Sequence, residues 1–206
     1  VCCGFGIVVV DLTRIEIKDT YIIGRNGSYL SVNDLTVYND KFYAATSSGV
    51  YYADCNNSNL ADFSQWRRDM SMIHGTINYT EIETFNNKLY ANYSENKYNS
   101  DTLFVYDGQN WDYFSKRTYS IKRDIKAYDD RLILTEHYSV KVIDNNDNYI
   151  ANFKTSLEPF AAIYDNKYDN YWIGDRRNSL IKMYTDETSD IIEFNSFLIP
   201  SFSSDV

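Results

Sequence analysis

The chain has 206 residues and a formal net charge of −9, with 29 Asp and Glu against 20 Lys and Arg. Its basic residues are scattered, so it lacks the clustered positive surface on which phosphate-backbone recognition and docking on anionic lipid depend. Twenty Tyr, eleven Phe and three Trp stand beside only eight Gly and two Pro, a composition that fits pleated, half-buried strands. No window holds an apolar 3.6-residue period, and the expectation is an all-β chain.

The longest apolar stretch is the N-terminal Val1 to Val10, about half of the roughly twenty residues a spanning helix needs. It also lacks the basic start and small-residue cleavage site of a secretory leader. Its β-branched run Ile7-Val8-Val9-Val10 reads as a buried strand. A chain that opens in a core strand is expected to continue a structure begun upstream, and any export signal would lie there.

Further on, one phrase recurs: an aromatic, two or three Asn or Asp, a basic residue, then an apolar run. It reads Tyr38-Asn39-Asp40-Lys41-Phe42, Phe85-Asn86-Asn87-Lys88-Leu89 and Tyr128-Asp129-Asp130-Arg131-Leu132. A looser copy, Tyr164-Asp165-Asn166-Lys167, precedes Tyr168-Asp169-Asn170 and Tyr171-Trp172-Ile173. A period near forty residues built of strand and turn signals marks a β-propeller. Asn and Asp tolerate positive φ, so each phrase predicts a tight turn between the first two strands of a blade.

Third strands are predicted at Gly6 to Asp11, Gly49 to Asp54, Thr102 to Asp107, Val140 to Asp144 and Leu180 to Tyr184. Fourth, more polar strands are predicted at Ile15 to Ile23, Phe63 to Arg67, Asn110 to Phe114, Tyr149 to Phe153 and Ile191 to Phe194. Inner strands should be apolar on both faces, and the outermost half exposed, as Lys18 and the Trp66-Arg67-Arg68 run indicate. The predicted architecture is a partial β-propeller of about four and a half four-stranded blades from a larger ring. Residues 1–206 form one stretch of a single propeller domain, with the last two strands of one blade at 1–23 and further blades at 31–70, 80–118, 121–155 and 159–198.

Chemical signatures are weak by comparison. Gly4-Phe5-Gly6 lacks the third glycine and the following helix of a dinucleotide loop. Cys2, Cys3 and Cys55 form neither a CxxC nor a Cys/His cluster and read as small buried strand residues, although a link from Cys2 or Cys3 to Cys55 stays open. His74 and His137 have no metal-ligand spacing, and His137 falls in a predicted hairpin turn. Glu81/Glu83 and Asp129/Asp130 are candidate acid–base pairs; the first pair reads as one face of an edge strand, the second as an exposed turn.

Asp144, Asn146 and Asn148 mimic the start of a calcium loop, but Tyr149 stands where Gly is required and Thr155 where a bidentate Glu belongs, so a plain interstrand connection is expected. Tyr29, Tyr98, Tyr113 and Tyr138 are candidate exposed rings for sugar stacking, and sequons occur at Asn26, Asn56, Asn78 and Asn92. No catalytic residue, metal ligand, cofactor or defined ligand-binding set is assigned.

The segments Gly4-Phe5-Gly6-Ile7-Val8-Val9-Val10-Asp11-Leu12, Glu16 to Gly24, Tyr43-Ala44-Ala45-Thr46 with Gly49-Val50-Tyr51, and Asn59-Leu60 with Asp62-Phe63 and Trp66 resemble the N-terminal propeller of PorZ-type proteins of the Bacteroidetes. The resemblance covers residues 4–66. Separately, Trp172-Ile173-Gly174-Asp175 with Leu180 resembles the two-component regulator propeller repeat, from which Asn178-Ser179 departs by replacing its Gly. The resemblance implies an exported, non-enzymatic module at the cell surface or in the periplasm. It would bind a protein or a glycan such as lipopolysaccharide at the outer membrane, in the setting of type IX secretion. The competing expectations are the extracytoplasmic sensor propeller of a hybrid two-component regulator and a polysaccharide-acting enzyme with carboxylates lining a funnel.

Overall fold

The computed structural model describes residues 1–94, 101–114, 120–154, 158–186 and 188–192. These residues form nineteen strands in five antiparallel sheets, with two short 3-10 turns and no α-helix among them. The first sheet holds β1 (Cys2–Cys3), β2 (Gly6–Asp11) and β3 (Glu16–Tyr21). The second holds β4 (Val32–Tyr38), β5 (Lys41–Thr46), β6 (Gly49–Asp54) and β7 (Arg67–Arg68). The third holds β8 (Tyr79–Phe85), β9 (Lys88–Tyr93), β10 (Thr102–Tyr106) and β11 (Trp111–Tyr113).

The fourth holds β12 (Lys122–Ala127), β13 (Arg131–Glu136), β14 (Ser139–Asp144) and β15 (Tyr149–Lys154). The fifth holds β16 (Pro159–Asp165), β17 (Asn170–Asp175), β18 (Ser179–Tyr184) and β19 (Ser189–Ile192). Within every sheet the strands pair in chain order. The first strands of successive sheets lie side by side, β1 with β4, β4 with β8, β8 with β12 and β12 with β16. Sheets radiating from a row of first strands are the blades of a propeller, and the chain is all-β and a partial β-propeller.

Packing follows the alternation of strand side chains. Leu89 and Ala91 of β9 face the second sheet, whereas Tyr90 between them faces the fourth. Leu132 and Leu134 of β13 face the third sheet, and Ile133 faces the fifth. All six are at most 1 % exposed, so the second strand of an internal blade is buried on both faces. Each fully buried Leu, Ile or Tyr of this kind contributes about 1.5–3 kcal/mol of transfer free energy. The core is thus four layers, one between each pair of neighbouring sheets.

The repeated phrase folds as a turn. Asn39 and Asp40 have φ of 47° and 58°, and Asn86 and Asn87 have 48° and 56°, the paired left-handed geometry that suits a two-residue hairpin. The third copy closes without positive φ, through the Tyr128 N–H donating to Arg131 O. In the fourth, only Asp169 is left-handed. The aromatic that opens the phrase reaches the next blade: the Tyr38 hydroxyl donates to Asn87 O at 3.2 Å, and the Tyr164 N–H donates to the Tyr128 hydroxyl at 2.9 Å.

Four expectations need correction. The first 23 residues hold three strands, because Cys2–Cys3 adds a short strand against Gly6 and Ile7. The Phe63 to Arg67 strand is instead a 3-10 turn over Phe63–Gln65 and a two-residue strand, since Asp62 caps the turn through the Ser64 N–H. Trp66 is not half exposed but buried, with its indole N–H donating to Leu60 O. The three cysteines are free and half-buried, and Cys55 sits in a turn rather than on a strand. Phe194 and the end of the 159–198 span lie outside the described residues.

Candidate functional site: the axial carboxylates

The first strands hold the main departure from the apolar pattern. β4, β8, β12 and β16 each carry a bulge at the equivalent place, between Val32 and Asp34, Tyr79 and Glu81, Lys122 and Asp124, and Pro159 and Ala161. A bulge re-aims the residue that follows it. In three of the four strands that residue is an acid: Asp34, Glu81 and Asp124. Two residues on, Thr36, Glu83, Lys126 and Ile163 share the same strand face. The expectation that inner strands are apolar on both faces therefore holds for β5, β9 and β13 and fails for the axial strands.

These groups join neighbouring blades. Asp34 Oδ2 accepts the Ile82 N–H at 3.0 Å, and its Oδ1 accepts the Leu35 N–H at 2.9 Å. The Thr36 hydroxyl donates to Glu83 Oε1 at 3.2 Å, and the Thr84 hydroxyl to Val37 O at 2.9 Å. Lys126 Nζ lies 3.5 Å from Asp124 Oδ1. A sheet's inner edge leaves backbone N–H groups without a ladder partner, and Asp34 supplies one to Ile82 from the preceding blade.

Crowding of carboxylates changes their acidity. Burial, then the nearby Asp34 and Asp124, push Glu81 up to about 8. Burial also raises Asp34, Glu83 and Asp124, against the opposing pull of backbone N–H groups and Lys126. Lys126 is itself held up: burial lowers it, but Asp124, Asp34 and Glu83 outweigh that. The arrangement can store a proton near neutrality at Glu81. Asp34 has both oxygens on backbone N–H groups, so its part in the cluster is to join blades.

Glu81 and Glu83 occupy one face of an edge strand as expected, and the structure sets Asp34 and Asp124 beside them. Those two were missed, although a polar–acidic–apolar triplet recurs at Asn33-Asp34-Leu35, Thr80-Glu81-Ile82 and Arg123-Asp124-Ile125. Other candidates scatter. Asp130 makes a two-pronged ion pair with Arg131 at 2.8 Å per oxygen, and Arg131 also donates to the Tyr171 hydroxyl and lies over the Tyr164 ring. Asp144 Oδ1 accepts the Asn146 and Asn148 N–H groups, while Asp147 meets Lys88 and the Tyr90 hydroxyl of the third sheet. That loop is the expected connection between β14 and β15, with its carboxylates engaged and Asp147 bonded across to the third sheet. No group of three or more metal-type side chains is placed to hold an ion among the described residues.

His74 packs on Tyr93 and Phe104, whereas His137 meets Arg123 at 3.2 Å and the Tyr138 ring. Tyr29, Tyr113 and Tyr138 are exposed on separate blades or links, Tyr29 touching Phe5; Tyr98 lies outside the described residues. Asn92 is fully buried and donates to Thr80 and Asp101, which removes it as a glycosylation acceptor. Among the described residues no helix is long and apolar enough to cross a membrane.

Residues 1–67 match the family described as the PorZ N-terminal beta-propeller domain of the type IX secretion system. No curated protein matches the chain. Among solved structures, PorZ of Porphyromonas gingivalis, described as an essential bacterial surface component of that system, aligns over 94% of this chain at 15% identity with a TM-score of 0.69. The chain spans 24% of that PorZ chain. The extracellular domain of a B. thetaiotaomicron protein assigned as a one-component system aligns over 85% of this chain and 24% of its own, at 11% identity and a TM-score of 0.61. YCF48 bound to D1 peptide aligns over 85% of this chain and 56% of its own, at 11% identity and a TM-score of 0.56. Residues 1–67 carry the pattern of that family, and the chain carries the β-propeller fold that PorZ shares over 94% of its length.

Proposed function

We propose that this chain is a stretch of a larger PorZ-like propeller and acts as a non-enzymatic interaction module at the bacterial envelope, presenting a surface to a protein or glycan partner. The family match over residues 1–67 carries this reading. Two features of the molecule support it. The carboxylates of the axis serve as interblade joints, and the fifth sheet turns an uncovered face outward, with Ile163 52% exposed beside half-buried Trp172 and Leu180. In a larger ring that face receives the next blade. Type IX secretion is the setting that the PorZ likeness favours.

The test is deletion of the gene in its own host. Cargo of the secretion system then accumulates unprocessed in the cell envelope, and complementation restores its release. Normal cargo release in the deletion strain defeats the secretion reading. A sensor role in a two-component regulator is the second reading, favoured by the Trp172-Ile173-Gly174-Asp175 repeat and the fold likeness to the extracellular domain of a protein assigned as a one-component system. A kinase downstream in the same reading frame selects it, and a second propeller with a sorting domain selects the first.

A further inference from the structure

Where the first and second sheets meet, two 3-10 turns from distant parts of the chain abut. One spans Arg25–Gly27, in the link between the sheets; the other spans Phe63–Gln65, before β7. Their contact is close. A Cβ on Gly27, whose φ is +72°, would lie 3.3 Å from the Phe63 ring, so the turn needs a residue without a side chain there. The neighbouring Asn26 is also left-handed, at φ 57°. Together the turns wall a pocket of about 350 Å³ whose rim carries Arg25, Asn26, Phe63, Ser64, Arg68 and Met70.

The Arg68 guanidinium donates to the Met70 thioether at 3.4 Å. Neither Arg25 nor Arg68 makes an ion pair among the described residues, and Arg68 Nε is buried with no hydrogen-bond partner. The carboxylates nearest Arg68 along the chain are occupied: Asp62 caps Ser64, and Asp69 accepts from Ser71 and from the Trp111 indole. In a chain of net charge −9, two arginines without an ion pair among the described residues, in one concavity, are a local inversion of charge. A guanidinium that lines a pocket is matched best by a carboxylate, which can accept two of its N–H groups.

The apolar part of the pocket decides between ligand classes. Met70 is 76% exposed and Phe63 40%, and an exposed thioether beside an aromatic ring and arginines is the composition of protein interfaces. The pocket rim offers no carboxylate to accept from sugar hydroxyls, and Trp66 beneath it already bonds to Leu60 O. We infer that this pocket binds an acidic peptide segment, one Asp or Glu side chain seated between Arg25 and Arg68 with an adjoining apolar side chain against Phe63 and Met70. The inference rests on the interaction-module reading and locates its surface.

The test is fluorescence polarisation of the 206-residue chain with labelled hexapeptides in which Asp or Glu alternates with Leu or Phe. Affinity of the best peptide should fall about tenfold on Arg25→Ala, the worth of one charge-assisted contact, and should weaken as salt is raised. Arg25 lies on an exposed turn, so this variant keeps the fold; Arg68→Gln is checked by circular dichroism and should weaken binding likewise. Absence of peptide binding, or binding indifferent to Arg25→Ala, overturns the site. Tighter, arginine-dependent binding of a uronate or phosphorylated oligosaccharide in the same assay overturns the peptide assignment. Photocrosslinking on cells separates the two levels: an envelope partner captured equally by wild type and Arg25→Ala sinks the pocket alone, and no envelope partner for the wild type sinks the wider reading.

Discussion

The fourth sheet and the fifth are built from the same pattern yet have opposite surroundings. Ile133 of β13 and Trp172 of β17 occupy corresponding places on the second strands, each facing away from the preceding blade. Ile133 is fully buried against the fifth sheet, whereas Trp172 remains half-buried beside exposed Ile163. The opposite face of β17, through Tyr171 and Ile173, is closed as tightly as any in the molecule. A blade is therefore amphipathic only by circumstance: its sequence is apolar on both faces, and its neighbours determine which face meets water.

The contrast is broken most strongly at Ile133. Ile133→Ala should lower the unfolding free energy by about 2–5 kcal/mol, read as a lower urea midpoint at constant m-value; a loss under 1 kcal/mol would mean that the fourth and fifth sheets are not packed as described. The next effect is at the axis. Glu81 holds its proton up to about pH 8 in the folded chain, against 4.5 for an ordinary Glu. Between those values the folded state carries a proton that the unfolded state has released. Stability therefore falls as pH rises through this window, by up to about 1.4 kcal/mol per pH unit, and returns on acidification toward pH 5. Glu81→Gln should flatten that slope and stabilise the chain at pH 8. Urea titrations at pH 5, 6.5 and 8 decide it, and an unchanged slope refutes the assignment.

A smaller loss belongs to the turns. Asn87→Ala forces a residue with a Cβ and no local polar side chain into a left-handed position, costing about 1 kcal/mol, measurable as a drop in melting temperature. The same change at Asp130, which is not left-handed, should lack this backbone term and lose only its exposed pair with Arg131. Smallest of all is Ile163→Ser, expected within about 0.5 kcal/mol in the 206-residue chain because its face is open. If the same substitution in the longer protein costs more than about 1.5 kcal/mol, a further blade covers that face; an equal, negligible effect in both denies it.

Much of this architecture was legible because a blade is written locally. The Asx turns, the alternating strands Gly6 to Asp11 and Gly49 to Asp54, and the forty-residue spacing are short-range signals, and the strands fall there. Segments whose state depends on distant partners were not legible. Phe63–Gln65 reads as strand by composition, but the Asp62 cap and the burial of Trp66 under the first sheet wind it into a turn. The axial acids were half legible: Glu81 and Glu83 stand out in sequence, whereas their proximity to Asp34 and Asp124 exists only once three blades are side by side. Arg25 and Arg68 are 43 residues apart, and nothing local in either segment indicates that they line one pocket.

Two of the tyrosines that open the turn phrases, Tyr38 and Tyr128, have a consequence for how the molecule comes apart. Tyr38 holds the turn of the third sheet, and Tyr128 holds the start of the turn in the fifth. Each clasp joins only adjacent blades, so cooperativity is nearest-neighbour, as in a linear array of repeats. Fraying then proceeds inward from a terminal blade in steps. Amide protons of β9 and β13 would be the last to exchange, and the clasp hydroxyls would mark where the remaining folded block begins.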